Sequence, residues 1–198
     1  MGQKNDFQLM VAGLGGQGAL FIGRLLAEAA LSKYKNATFF PNYGMAVRLG
    51  PSECTVTISD NEITSPMTMT PEALIIMGAA PLASFEGRIA PGSMMILDSS
   101  LVQTKSERKD VKIFYIPATK AATDLGNMAV TNLVLLGAYL EASQVVPLET
   151  VEATLERRMA GGRREAMLSL NKAALREGAK LMAEYPKPRK RRSPVSSK

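Results

Sequence analysis

The segment Val11-Ala12-Gly13-Leu14-Gly15-Gly16-Gln17-Gly18 constrains this chain more than any other. Its glycines stand at G-x-G-x-x-G spacing, after the apolar run Phe7–Ala12 and before Ala19–Ala30, whose apolar residues recur at helical steps. The order predicts strand, tight turn, helix, the setting in which backbone N–H groups and a helix N-terminus cradle phosphate. Two readings stay open: a phosphate-bearing ligand held by Gly13, Gly15, Gly16, Gln17 and Gly18, or a turn whose glycines only let strand and helix pack closely. A dinucleotide site would also need an acid about 20 residues on, at the end of the second strand. That strand ends Thr38-Phe39-Phe40-Pro41-Asn42, without one. No Lys-Ser or Lys-Thr pair closes a P-loop either.

The rest of the pattern extends this unit. Ala37–Phe40 predicts a second strand, stopped by Pro41 to Gly44. Glu53–Ser59 alternates with Cys54, Val56 and Ile58 on one face, and after the Asp60-Asn61 turn signal Glu62–Thr64 is expected as a return strand. Ala73–Met77, Ser93–Leu97 and Val111–Ile116 are compact apolar runs of buried-strand type, with a short helix expected around Leu82–Ile89. Beyond Pro117 the pattern is helical: Asn132–Ala142, Pro147–Met159, and Arg163–Glu184 with Met167, Leu170, Ala174 and Leu181 inward. Leu133, Leu136 and Leu140 suit either a core or a subunit contact. The fold class expected is α/β, a three-layer α/β/α arrangement with a mixed, mostly parallel sheet and C-terminal helices. One domain is expected over residues 1–185, with a basic tail over 186–198.

Composition narrows the function. No apolar run reaches the roughly 18 residues of a membrane span, and the N-terminus shows no signal-peptide core, so a cytoplasmic protein is expected. The net charge of +6 resides in the last twelve residues, which carry six Lys or Arg and no acid, so the body is balanced at 18 basic and 18 acidic residues. The tail reads as disordered, a solvated terminus or a contact for an anionic partner. A balanced body argues against nucleic acid. With no histidine and a single cysteine, the chain has no Ser-His or Cys-His couple and no histidine metal site. Cys54 alternates inward and reads as an inert buried thiol, while Asp60 and Asp98 stand at strand ends, where turns and caps need them. The methionines, Met67, Met69, Met94 and Met95 among them, read as core or interface filler. The chain is not expected to do chemistry alone. The segment from Asn42 to Gly50 places Tyr43, Arg48 and two glycines beside the turn: a guanidinium for a pyrophosphate, or a surface salt bridge with a packed tyrosine.

The stretches "GLGGQGALFIGRLLAEAA", "FFPNYGMAVRLGPSECTVTISDNEITSP" and "DLGNMAVTNLVLLGAYLEAS" together resemble the gamma subunit, or gamma domain, of 2-oxoacid:acceptor (ferredoxin) oxidoreductases. The resemblance runs from about Phe7 to Gly178. It implies a subunit of a multi-subunit enzyme that oxidatively decarboxylates a 2-oxoacid to acyl-CoA and passes electrons to ferredoxin or another acceptor. It implies that this chain helps bind coenzyme A through Gly15, Gly16, Gln17 and Gly18, with Tyr43 and Arg48 beside the ligand. Thiamine diphosphate and iron–sulfur clusters then belong to partner subunits. One departure stands out: where the family's second motif reads tyrosine-glycine-proline-glutamate-methionine-arginine-glycine-glycine, this chain has Ala46 for the glutamate and Leu49 for the first glycine after arginine. Rival readings are an NAD-dependent dehydrogenase subunit with a degenerate fingerprint, and a non-catalytic assembly protein of the same fold.

Overall fold

Successive residues of the first strand point to opposite faces, and both faces are apolar: Leu9 and Val11 one way, Met10 and Ala12 the other, all at most 1% exposed. A strand so built needs a helical layer on each side. The computed structural model, which describes residues 6–43, 51–68, 70–161 and 165–186, provides both. The elements run β1 (Phe7–Leu14), α1 (Ala19–Ala30), β2 (Asn36–Tyr43), β3 (Pro51–Ser59), β4 (Ala73–Ile76), α2 (Ala79–Phe85), β5 (Met94–Asp98), β6 (Lys112–Ile116), α3 (Ala118–Asp124), α4 (Thr131–Ser143), α5 (Leu148–Met159) and α6 (Leu168–Ala183). The six strands lie in the order β2-β3-β1-β4-β5-β6. β1, β4, β5 and β6 are mutually parallel, while β3 runs antiparallel to both β1 and β2. This is the expected three-layer α/β/α architecture, with a mixed, mostly parallel sheet and the later helices gathered at the C-terminal end.

The two layers are unequal. On the Leu9/Val11 face lie α1, α3, α4, α5 and α6, sealing Cys54, Val56, Ile58, Ile75 and Ile96. On the other, α2 and the segment after β5 cover Met10, Leu74, Ile76, Met95 and Leu97 with Leu82, Phe85, Ile89 and Val102. Ile22, Leu25 and Leu26 of α1 are fully buried, each worth about 1.5–3 kcal/mol. Val56 of β3 and Phe39 of β2 stand beneath Gly23, where the helix meets the sheet. The Cys54 thiol lies there too, as the alternation predicts, and burial pushes it up to about 12.

Two expectations need correction and a third is extended. β2 does not stop at Pro41 but continues to Tyr43, because it is an edge strand, where a missing N–H is tolerated. Glu62–Thr64 forms no return strand, since β3 is already paired on both sides, to β1 and to β2. The mixed sheet comes from β2 and β3 instead. In α6 Ala174 is fully buried and Leu170 and Leu181 pack half-buried against the core, as does Met167 just before the helix, and the deepest stripe adds Asn171, Leu175, Gly178 and Met182. The stripe turns this way because α4 and α6 meet at backbone distance: a methyl group on Gly137 would collide with the Leu175 carbonyl, and one on Gly178 with that of Val134. Leu133, Leu136 and Leu140 of α4 are core residues, at most 2% exposed. The tail beyond residue 186 lies outside the described residues.

Candidate functional site

β1 and β4 are parallel neighbours whose following helices leave on opposite faces, α1 to one layer and α2 to the other. Such a switch point opens a crevice at the carboxyl ends of the strands, where open α/β sheets bind ligands. The glycine turn forms its floor. Gln17 staples that floor across the two strands: its Oε1 accepts the Leu14 N–H at 2.7 Å, and its Nε2 donates to the Met77 carbonyl at 3.1 Å. The sequence places Gln17 at a ligand; the structure spends much of its amide on holding the turn.

The glycines divide by role. Gly13, still within β1, is buried, and a methyl group there would come within 2.9 Å of Gln17 Oε1 and 3.1 Å of Met77 Sδ. Gly18 caps α1 in the left-handed region, at φ +83°, with Asn132 packed where a side chain would go. Asn132 Nδ2 donates to the Gly18 carbonyl at 3.3 Å, tying α4 to the turn. Gly16 is also left-handed, at φ +96°, but exposed, with nothing within 4 Å of where its Cβ would be. Gly15 completes the turn, half-buried beside it. The N–H groups of Gly18, Ala19 and Leu20 have no acceptor among the described residues, the usual state of a helix N-terminus and the source of its attraction for anions.

A cavity of about 270 Å³ stands over this floor, between Gly16, Gln17, Met77, Leu101, Thr119, Met128, Ala129 and Thr131. Leu101 and Met128 are 43% and 61% exposed, an apolar rim on an otherwise polar edge. Asp98, fully buried at the end of β5, supports that rim. Its carboxylate accepts hydrogen bonds from the Ser100 and Thr119 N–H groups and the Thr119 hydroxyl, so its role is the structural one expected of it. Ala129 also borders a second cavity, of about 390 Å³, lined by Phe21, Leu133, Arg158, Met159, Met167 and Asn171 among others. Phe21, in the first turn of α1, lines the second lobe, and Gly16 and Gln17, just before the helix, line the first. At the rim of the second, Arg158 and Arg24 both bond Glu28. Partial burial opposes its ionisation, yet the two guanidiniums hold the Glu28 carboxyl below its ordinary range.

Tyr43 ends β2 opposite Ser52, which is itself opposite Gly13, so the connection between β2 and β3 leaves and returns at the rim that bears the glycine turn. Arg48, Ala46 and Leu49 lie outside the described residues, as does the Tyr43 side chain. Pattern reading missed Thr119, Asn132 and Asn171; for Asn132 a signal existed, the "GNMAVTN" stretch before α4. β3 lies between β1 and β2, so the end of β2 is two strands from the glycine turn, about 10 Å. In a dinucleotide unit the two strands are neighbours and the second carries the ribose acid. Geometry and sequence thus depart together from the nucleotide-dehydrogenase pattern.

Residues 8–181 match the family model described as pyruvate ferredoxin/flavodoxin oxidoreductase. The 2-oxoglutarate synthase subunit KorC of Methanothermobacter marburgensis is 31% identical over 185 residues, which cover 89% of this chain and 97% of KorC. The ketoisovalerate oxidoreductase subunit VorA of the same organism is 30% identical over 135 residues, 68% of this chain but only 28% of VorA, so the chain spans about a quarter of that relative. The gamma subunit of a keto/oxoacid ferredoxin oxidoreductase from Geobacter sulfurreducens superposes with a TM-score of 0.78 at 27% identity, over 90% of this chain and 97% of that one. A 2-oxoglutarate:ferredoxin oxidoreductase chain from Magnetococcus marinus superposes with a TM-score of 0.85 over 94% of this chain and 32% of that one; at 21% identity this is a likeness of fold.

Proposed function

The chain belongs to the pyruvate ferredoxin/flavodoxin oxidoreductase family as a gamma-type subunit, and on that premise we propose that it holds and positions coenzyme A within a multi-subunit 2-oxoacid:acceptor oxidoreductase. The observation that carries this reading is the α1 N-terminus. The turn that leads into it lines one cavity through Gly16 and Gln17, its residue Phe21 lines another, and the Gly18 and Leu20 N–H groups have no acceptor among the described residues. A diphosphate suits such a place, because the N–H groups want an acceptor and the helix dipole favours negative charge. The apolar lobe under Leu101 and Met128 suits an aliphatic arm. The fold neighbour from Magnetococcus marinus was solved with 2-oxoglutarate, coenzyme A and succinyl-CoA bound, which agrees with this reading.

The reaction of the whole enzyme would convert a 2-oxoacid and coenzyme A to acyl-CoA and carbon dioxide, with two electrons passed to ferredoxin or another acceptor. An iron–sulfur cluster takes several cysteine ligands, and this chain has one cysteine, buried under α1. Clusters are therefore assigned to partner subunits, and the family resemblance assigns thiamine diphosphate there too; they would supply electron transfer and carbanion stabilisation. This chain's part is to orient the thiol donor and hold its phosphates, a contribution of position. Arg48 is proposed as a second phosphate contact, with Tyr43 beside it, because the described ends of their connection stand at the same rim.

The test uses the holoenzyme purified with its partner chains. Gly16→Asp puts a carboxylate into open space at the proposed phosphate site, and Gly16→Asn is its neutral control; both residues tolerate the left-handed region. The Asp variant is expected to raise the KM for coenzyme A about tenfold over the Asn variant, by like-charge repulsion. Arg48→Ala is expected to raise it similarly, with the KM for the 2-oxoacid unmoved in every case. Equal KM values for coenzyme A in all variants and the parent would overturn the reading.

A further inference from the structure

The two edges of the sheet are not alike. β2 carries Pro41, which breaks the row of donors along its edge. β6, at the other edge, has no proline. The Lys112 N–H donates to the Ser93 carbonyl at 2.8 Å, and the Ile116 carbonyl accepts the Ser99 N–H at 2.9 Å, so residues 112, 114 and 116 bond β5. Ile113 and Tyr115 therefore turn their main-chain groups outward. The Tyr115 N–H is taken by the Tyr185 hydroxyl at 3.2 Å. The Ile113 N–H and carbonyl have no partner among the described residues. Beside them lies a cavity of about 840 Å³, with Phe114, Ala142, Met182 and Pro186 among its walls and Lys112 and Glu141 lining it too. Both charged residues are exposed, and neither has an ion-pair partner among the described residues.

We propose that β6 is the edge through which two copies of this chain pair, antiparallel about a two-fold axis at Ile113. The proposal does not depend on the coenzyme reading. A two-fold contact must be self-complementary, and this edge is so in both main chain and charge. Ile113 offers one donor and one acceptor on the same side, so two copies exchange a reciprocal pair of hydrogen bonds there. A register centred on Ile113 sets Lys112 opposite Phe114 of the second copy. Lys112 shares a strand face with Phe114, and that face borders the cavity. Each Lys112 ammonium is thereby carried toward Glu141 of the other copy. An acid and a base that line one cavity without meeting inside the chain suit a contact with itself; a patch of one sign would call for a different partner. Tyr185, edge-on to Phe114 with ring centroids 5.3 Å apart, already holds the next place along β6, so the ladder ends with the Ile113 pair. β6 lies three strands from β1, about 14 Å, which leaves the glycine turn open in such a dimer.

The experiment follows the mass of the full chain by sedimentation over a range of concentrations. A monomer–dimer equilibrium with a Kd of about 10 µM is expected. Lys112→Glu and Glu141→Lys each set like charges against each other across the axis, and each is expected to weaken the dimer about tenfold. Both substitutions sit on exposed side chains, so the fold is expected to keep its thermal midpoint. A mixture of the two single variants is expected to dimerise as tightly as the parent, because each acidic copy then meets a basic one. The double variant is expected to recover the parent's Kd as well. A parent that stays monomeric to about 100 µM overturns the proposal. So does a dimer that neither single variant weakens, or a mixture that pairs no better than its components. A monomeric parent whose Lys112 is shielded from acylation only in the holoenzyme also overturns it, and gives this edge to a partner subunit.

Discussion

Glycines serve opposite purposes in two regions of this molecule. Where α4 crosses α6, Gly137 and Gly178 are filled against: any side chain would strike the backbone of the facing helix. In the turn after β1, Gly16 faces nothing within 4 Å and is set by its left-handed φ of +96° alone. One region uses glycine to exclude space and the other to leave it. The closed pair lets α4 and α6 meet at backbone distance; the open one leaves room at the helix N-terminus where a ligand's phosphates are proposed to sit.

The largest test of this contrast is Gly178→Ala. The added methyl group has only backbone to displace, so the two helices must separate along their length. We expect a loss of about 3 kcal/mol, seen as a fall in the thermal midpoint of about 6–12 °C. A change under about 1 kcal/mol would mean that the crossing yields, and that the close approach is not what fixes α6.

Gly23 tests a case between the two, because its obstacle is a side chain, the Cys54 thiol. Gly23→Ala is expected to cost about 2 kcal/mol alone and clearly less in combination with Cys54→Ala, which removes the sulfur; a double-mutant cycle should show coupling of about 1 kcal/mol. The same thiol makes stability depend on alkali. Burial, helped by the neighbouring Glu53 charge, raises its pKa from 9.0 to about 12, so the folded state keeps a proton that the unfolded chain gives up. Its contribution is complete below about pH 9 and declines toward pH 12, at up to about 1.4 kcal/mol per unit. Urea unfolding of the parent and of Cys54→Ala between pH 9 and 11 should show the parent losing more; parallel curves would place the thiol in contact with water.

How far the sequence discloses these features follows from their physics. The β1–turn–α1 unit was legible because hydrophobic period and glycine spacing change together at Gly13–Gly18. The inward set of β3 was legible because alternation fixes a face. The run of β2 through Pro41 was not, since whether a strand lies at an edge depends on partners elsewhere in the chain. The stripe of α6 was legible only in part, because Gly178 and Asn171 carry no hydrophobic signal, yet one admits a helix and the other is buried by it. Asn171 and Asn132 stayed hidden among ordinary polar residues for the same reason: only the fold shows that both are buried, one bonded to the Met159 thioether and the other to the Gly18 carbonyl. Tyr43 and Arg48 came first from the residues, a ring and a guanidinium in a glycine-bounded segment, and then from motif resemblance, and their part rests on the ends of a connection.

Within the open region, Gln17 separates the support of the turn from its occupancy. Replacing it with leucine strands the Leu14 N–H and the Met77 carbonyl, at a cost of about 1–2 kcal/mol. The turn should then loosen, with faster amide exchange at Leu14 and a raised KM for coenzyme A in the holoenzyme. Slow exchange at Leu14 in that variant would show that the glycine geometry holds the turn without its staple.

Gly16→Ala completes the comparison with the smallest expected effect on folding. The methyl group meets no atom, so the only cost is that of a left-handed backbone for an L-residue, about 1 kcal/mol. That is roughly a third of the loss expected at Gly178, although the chemical change is identical. Thermal unfolding of the two variants side by side therefore reads the difference between a glycine kept for packing and one kept for φ. Equal losses would mean that the turn is as tightly enclosed in the working protein as the helix crossing, and would point to a partner surface seated over Gly16. A small loss in the chain alone that grows when the partner subunits are present would locate that surface at the carboxyl edge of the sheet.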